Sequence, residues 1–139
     1  VHKKIVLNSI GSDPRIGTNY FKPGYSFGGP CFPRDTKALQ LFVKQCQINH
    51  NLLEATTEYN DYHVMFQAYQ LLKEDKDVYV FENVCFKEYS KVPIIEESAK
   101  LKIAKYLVEL GKKVIIRDTE ELIKEVKKEF GKIFDYEIM

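Results

Sequence analysis

A cysteine in a loop rich in glycine and proline is the part of this sequence best suited to chemistry. It lies in the segment Phe27-Gly28-Gly29-Pro30-Cys31-Phe32-Pro33-Arg34-Asp35. Two adjacent glycines permit a backbone path that side chains would block, and they allow a ligand to approach closely. Cys31 precedes a predicted helix, whose positive end stabilises a thiolate, and Arg34 adds a second positive charge. These conditions favour a nucleophilic cysteine, but a buried structural cysteine beside a turn would show the same local pattern.

Helices on the C-terminal side of the loop must position this cysteine. Glycine and proline are concentrated between residues 11 and 33, with interleaved aromatic residues, which predicts a long, shaped loop rather than disorder. Asp35 is predicted to cap a helix that runs to about residue 47. Its apolar residues fall on one face: Ala38, Leu39, Phe42, Val43 and Cys46.

A second, longer helix is predicted over residues 51–73. Its apolar residues alternate steps of three and four, which gives a narrow stripe. The stripe consists of Leu52, Ala55, Tyr59, Tyr62, Phe66 and Tyr69. It fits two interpretations equally well: an ordinary buried face, or a surface that packs against a second subunit in a homodimer.

The pattern changes after the polar residues 74–77, which mark a predicted boundary between two domains, 1–74 and 75–139. Short apolar runs predict three strands, at 78–81, 114–116 and from 133 onwards. Helices are predicted between them, at about 96–110, ended by Gly111, and from a cap at Asp118, paired with Glu121, to Gly131. The fold class is therefore mixed: an α-helical region followed by a small, truncated, Rossmann-like α/β domain with a parallel sheet and right-handed crossovers.

Composition excludes several classes of function. The 139 residues carry a formal net charge of +1, which argues against a nucleic-acid or membrane-surface protein because both need a concentrated positive field. No apolar stretch approaches the ~20 residues of a membrane span, and the N-terminus does not resemble a secretory signal. The three widely spaced cysteines predict neither a disulfide framework nor a metal site, and a cytoplasmic location is expected. The chain lacks an initial methionine, so we expect it to be part of a longer protein.

Three blocks of sequence, in order, resemble the UDP-glucose/GDP-mannose dehydrogenase family. They are Asp13-Pro14-Arg15-Ile16-Gly17, Phe21-Lys22-Pro23-Gly24 and the segment from Phe27 to Asp35. The run Asn60-Asp61-Tyr62 also resembles the central helix of that family. The resemblance covers roughly residues 8–118 and is strong to about residue 70.

The resemblance implies an NAD-dependent oxidation in two steps. The C6 alcohol of a nucleotide sugar, here UDP-glucose, becomes a carboxylate, so that the product is UDP-glucuronate. A first hydride transfer gives an aldehyde, a cysteine adds to it as a thiohemiacetal, and a second hydride transfer gives a thioester that water hydrolyses. A thiol suits this chemistry because it both attacks carbonyls and leaves from a thioester.

The resemblance also implies roles for particular residues. Cys31 matches the nucleophile, and Asp35 matches a carboxylate that helps to handle protons and the hydrolytic water. Arg15 matches an arginine that reaches the substrate across the dimer, and Lys87 is a further implied substrate contact. The loop that wraps the sugar nucleotide corresponds to Lys22, Pro23, Gly24, Tyr25, Ser26, Phe27 and Gly28. The stretch near the nicotinamide corresponds to Phe32, Pro33 and Arg34, with Arg34 where a lysine is usual.

The sequence also departs from the family pattern. It contains no Gly-x-Gly-x-x-Gly turn, so the main NAD-binding lobe is expected to be absent from this chain and to be supplied by a separate half. Ile95-Glu96-Glu97-Ser98 lacks the arginine that the family places before Glu-Ser, and an acid there would repel a phosphate. An alternative hypothesis is therefore a non-catalytic relic that retains dimerisation or nucleotide-sugar binding. A thiol enzyme that uses Cys31 without NAD is a third, weaker hypothesis, because no partner base is evident.

Overall fold

The structure, a computed structural model, describes residues 2–18, 25–49, 51–87 and 92–139. The predicted sites Lys22, Pro23 and Gly24 lie outside the described residues. Within them the helices are α1 (Lys3–Gly11), α2 (Phe32–Gln45), α3 (Leu52–Leu72), α4 (Ala99–Glu109) and α5 (Glu120–Phe130). The strands are β1 (Val78–Glu82), β2 (Lys113–Asp118) and β3 (Asp135–Ile138).

The strands form a three-stranded parallel sheet in the order β1-β2-β3, which confirms the predicted fold class. Tyr79 pairs with Val114, and Phe81 pairs with Ile116, in a register that places apolar side chains of both strands on one face. Strand β3 begins at Asp135, two residues later than the sequence suggested. Phe134, immediately before it, is buried in the core instead of taking part in the strand.

Helix α2 begins earlier than predicted, and the prediction that Asp35 caps it is wrong. The N-cap residue is Cys31, and Pro33 lies in the first turn, where its missing N–H is not needed. Asp35 is already inside the helix, and its backbone N–H donates to the carbonyl of Cys31 at 2.8 Å. There its carboxylate lies near the positive end of the helix.

The predicted cap of α5 is also wrong, by one residue. Thr119 is the N-cap, and its hydroxyl accepts a hydrogen bond from the N–H of Leu122. Asp118 ends strand β2, is buried, and accepts hydrogen bonds from the backbone of Val84 (2.9 Å) and Thr119 (2.8 Å). The carboxylate therefore ties the end of β2 to the segment after β1. Gly131, with φ +62°, ends α5 as predicted.

Helix α3 begins and ends within one residue of the prediction but buries a different face. Its buried residues are Asn60, Val64 and Ala68, spaced four apart. The predicted stripe is exposed, with Tyr59 at 68% and Tyr62 at 58% of full accessibility. The interpretation of this stripe as an ordinary buried face within the chain is wrong, and its packing against a second subunit stays a prediction.

The core lies between the sheet and helices α4 and α5. Its fully buried side chains include Leu101, Ile103, Leu107, Ile116 and Ile123. Val64 and Ala68 of α3 join this same cluster, so α3 is packed onto the α/β part. The domain boundary near residue 74 stays a prediction. In the described part of the chain, no helix is both long and apolar enough to cross a membrane.

Candidate active site around Cys31

Cys31 lies exposed at the N-terminus of α2, beside a cation. The guanidinium of Arg34 donates from Nε to Oδ1 of Asp35 at 2.8 Å. This bond, and next the negative charges of Asp35 and Cys31, raise the pKa of Arg34 above its usual value. Both paired side chains are about two-thirds exposed, so solvent screens the pair and it organises the site more than it stabilises the fold.

Asn60 holds the loop that leads to Cys31. Its Oδ1 accepts a hydrogen bond from the N–H of Phe27 at 2.8 Å, and its Nδ2 donates to the carbonyl of Phe27 at 3.0 Å. One buried side chain therefore pairs with both backbone polar groups of one loop residue. The loop is fixed to α3 at this point.

The two glycines allow other parts of the chain to approach the loop closely. A Cβ on Gly28 would lie 2.0 Å from the carbonyl oxygen of Glu97. Gly29 has φ +80°, and a Cβ there would lie 2.4 Å from the ring of Phe86. The loop between Phe27 and Cys31 is thus packed against residues of the second half of the chain.

Three further residues predicted to bind the substrate differ in how exposed they are. Tyr25 is half exposed, and the ammonium group of Lys100 lies 5.9 Å from its ring centroid. Ser26 is partly buried, and Lys87 is exposed beside Phe86. These positions leave the assigned substrate roles as predictions.

Arg15 lies on the segment after α1. Its guanidinium forms an ion pair with Asp13, with Nη2 and Oδ2 2.7 Å apart, and its side chain is 87% exposed. The hydrogen bonds from Arg15 lower the pKa of the Asp13 carboxyl. Arg15 is therefore presented to the outside, as a contact across a dimer would require.

The stretch predicted to approach NAD begins α2. The ring of Phe32 is 67% exposed, and its centroid lies 6.4 Å from that of Phe27, edge to face. Pro33 follows in the first turn, and Arg34 supplies the charge. The approach of this stretch to a nicotinamide stays a prediction.

The part of the chain that contains Cys31 and Asn60 is similar to a known protein family. Residues 1–62 match the central domain of the UDP-glucose/GDP-mannose dehydrogenase family. These residues, fewer than half of the chain, are similar to that central domain. The matched residues include α1, the Cys31 loop, α2 and the Asn60 position of α3, whereas Phe86 and Glu97, which contact the loop, lie outside the match.

Individual relatives extend the likeness into the second half. A UDP-glucose 6-dehydrogenase of Campylobacter jejuni is 30% identical over 122 residues, which cover 88% of this chain and 30% of that protein. A UDP-glucose 6-dehydrogenase of Bacillus subtilis is 43% identical over 56 residues, 40% of this chain and 12% of that protein. A UDP-glucose dehydrogenase structure from Pyrobaculum islandicum matches with a TM-score of 0.76 and 28% identity, over 95% of this chain and 31% of that chain. The chain thus spans less than a third of the length of these relatives.

Three residues that shape the Cys31 loop were not among the predicted site residues: Asn60, Phe86 and Glu97. A polar residue four positions before Val64, on the buried face of α3, is the signal that could have identified Asn60. Phe86 lies against Gly29 and Glu97 against Gly28, 57 and 69 residues away in sequence, and no local pattern indicates such contacts.

Proposed function

We propose that this chain forms the cysteine-bearing part of an NAD-dependent UDP-glucose 6-dehydrogenase, which oxidises UDP-glucose to UDP-glucuronate. The observation that carries the proposal is the exposed Cys31 at the N-terminus of α2, in a loop of matching sequence and beside Arg34. The free state of all three cysteines supports a thiol function and a cytoplasmic location.

The proposed chemistry assigns separate tasks to neighbouring residues. The Cys31 sulfur adds to the C6 aldehyde and later leaves from the thioester, at the N-terminus of α2 and beside the cation of Arg34. Asp35 lies four residues along the same helix, and in this proposal its carboxylate accepts a proton from the water that hydrolyses the thioester. Residues 22–28, Arg15 and Lys87 hold the nucleotide sugar.

NAD would supply the hydride acceptor for both oxidations. Its nicotinamide end would lie beside Phe32, Pro33 and Arg34. This stretch would contact only that end of the cofactor and is not a complete binding site. The chain has no Gly-x-Gly-x-x-Gly turn for a dinucleotide phosphate. The proposal therefore places the main NAD-binding site outside these 139 residues.

The first test is calorimetric titration of this chain with UDP-glucose. We expect saturable binding, because the sugar-nucleotide loop is held by Asn60 and by the close contacts at Gly28 and Gly29. Arg15→Ala is expected to weaken the affinity about ten-fold, the loss of roughly one charge-assisted hydrogen bond.

The matched control is Arg117→Ala, which removes another surface arginine. Arg117 pairs with Glu82 and Glu137 across the sheet and is assigned no role in binding. It should leave the affinity unchanged. Absence of binding in the unmodified chain would contradict the proposal and favour the relic hypothesis.

A second candidate function is a non-catalytic dimerisation module. The exposed aromatic stripe of α3 favours it, since Tyr59, Tyr62, Phe66 and Tyr69 are each more than 40% exposed. A dimer through residues 51–73 would cover them. Light scattering at rising concentration should then show a dimer that Tyr62→Glu disrupts, because the charge would be buried in the interface. A monomer at high concentration would exclude the dimer in both hypotheses.

A further inference from the structure

We infer that Asn60 is a positioning residue for Cys31, an inference that rests on the proposed role of Cys31 as the nucleophile. Asn60 does not act on the substrate in this proposal. Its side chain fixes the backbone of Phe27 and, through the loop, the place at which Cys31 enters α2.

The pairing between Asn60 and Phe27 is specific for a carboxamide. Asn60 is only 7% exposed, and its Oδ1 and Nδ2 are both used by the two backbone groups of Phe27. A short side chain must offer one acceptor and one donor at the same time, which asparagine does and aspartate or leucine does not. Loss of either bond leaves a polar group unpaired in a partly buried site.

The support behind Asn60 is rigid. It lies in the middle of the 21-residue helix α3, and the next two residues on its face, Val64 and Ala68, are packed into the core. A side chain anchored in this way fixes Phe27 relative to the core rather than to another loop. The hydrogen bonds therefore set a position as well as adding stability.

The path from Phe27 to Cys31 transmits that position. Gly28 rests against the carbonyl of Glu97, and Gly29 is held at φ +80° against the ring of Phe86. Cys31 follows as the N-cap of α2. Because the intervening glycines have close neighbours and little room to adjust, we expect a shift at Phe27 to be passed along the loop to Cys31.

The test measures thiol reactivity in the full chain, without any nucleotide sugar. Iodoacetamide alkylation is followed by mass spectrometry at Cys31 and at Cys46 in the same sample. Cys46 is also exposed and is the C-cap of the same helix, so a general loosening of α2 affects both thiols. In Asn60→Ala we expect the Cys31 rate to fall about three-fold relative to that of Cys46, the effect of one lost hydrogen bond on the reactive geometry.

Two further variants distinguish positioning from general stability. Asn60→Asp keeps an acceptor for the N–H of Phe27 but sets a second acceptor against its carbonyl, so the ratio of the Cys31 rate to the Cys46 rate should fall at least as far as in Asn60→Ala. Asn51→Ala changes the N-cap asparagine of the same helix, whose side chain makes no capping hydrogen bond, and should leave the ratio unchanged.

If the ratio of the Cys31 to the Cys46 alkylation rate is unchanged in Asn60→Ala, the inference is overturned. This holds even if amide exchange at Phe27 becomes faster, since Asn60 would then fix Phe27 alone. Failure of both Asn60 variants to fold would overturn it too, because Asn60 would be a general structural residue. UDP-glucose plays no part in this measurement, so it can fail while nucleotide-sugar binding succeeds, and the reverse.

Discussion

Gly28→Ala is expected to destabilise the protein by roughly 3 kcal/mol, the upper part of the range for inserting an atom into a packed site. The new Cβ would lie 2.0 Å from the carbonyl oxygen of Glu97 and 3.1 Å from its carbon. These are backbone atoms, and they cannot rotate away as the end of a flexible side chain would. Glu97 is also held in place, because the next residue, Ser98, is buried and donates to the carbonyl of Val84 at 2.6 Å. The loop must therefore move, and UDP-glucose binding should weaken about ten-fold or more with it.

Gly111→Ala is the matched control for this prediction. Gly111 has φ +77° and no neighbour within 4 Å of an added Cβ, so alanine there suffers only the strain of the left-handed conformation, about 1–2 kcal/mol. Urea unfolding and UDP-glucose titration of both variants separate the two effects. We expect Gly111→Ala to lower stability and to keep the affinity. A Gly28→Ala protein with unchanged stability and affinity would show that the loop is not held against residue 97.

The order of helices and strands could be predicted from the sequence because it depends on local patterns. Apolar runs at 78–81 and 114–116 formed strands β1 and β2, and Gly111 and Gly131 ended helices as expected. The errors lie at the caps, where two suitable residues compete. Asp118 and Thr119 can both cap α5, and the choice is made by the N–H of Val84, which is distant in sequence and binds the Asp118 carboxylate. Tertiary hydrogen bonds of this kind leave no local signal.

The packing of α3 could not be predicted for a different reason. The predicted face was chosen by the spacing of its hydrophobic residues, and half of these are tyrosines. Tyrosine is large and only partly apolar, so its spacing is a poor guide to which face is buried. The face that is buried in the chain carries one polar residue, Asn60, and two smaller ones, Val64 and Ala68. The long loop determined this outcome, because it supplies the backbone groups that satisfy Asn60. The sequence was enough to select Cys31 and Gly28 as candidate site residues. The contacts that fix their loop come from Phe86 and Glu97 and could not be predicted.

Cys31→Ser is expected to slow UDP-glucuronate formation about a thousand-fold or more, the scale on which removal of a covalent nucleophile acts. A serine hydroxyl is a weaker nucleophile than a thiolate at neutral pH, and the oxygen ester that it would form hydrolyses less readily than a thioester. The assay combines this chain with a separately supplied NAD-binding half of a UDP-glucose 6-dehydrogenase and follows NADH by absorbance. Two oxidations per molecule require two NADH for each UDP-glucose consumed by the unmodified chain.

Cys46→Ser provides the control for this variant, since it removes an exposed thiol at the opposite end of the same helix. It should retain the rate and the stoichiometry of two. If the combined halves form no NADH with UDP-glucose present, the dehydrogenase proposal fails, and the exposed stripe of α3 makes a dimerisation module the better account. If Cys31→Ser keeps the full rate, the active site lies elsewhere, and the position of Cys31 at the N-terminus of α2 serves only the local fold. Full loss in Cys31→Ser together with an intact Cys46→Ser would assign the covalent step to the sulfur that the Gly28–Gly29 loop presents.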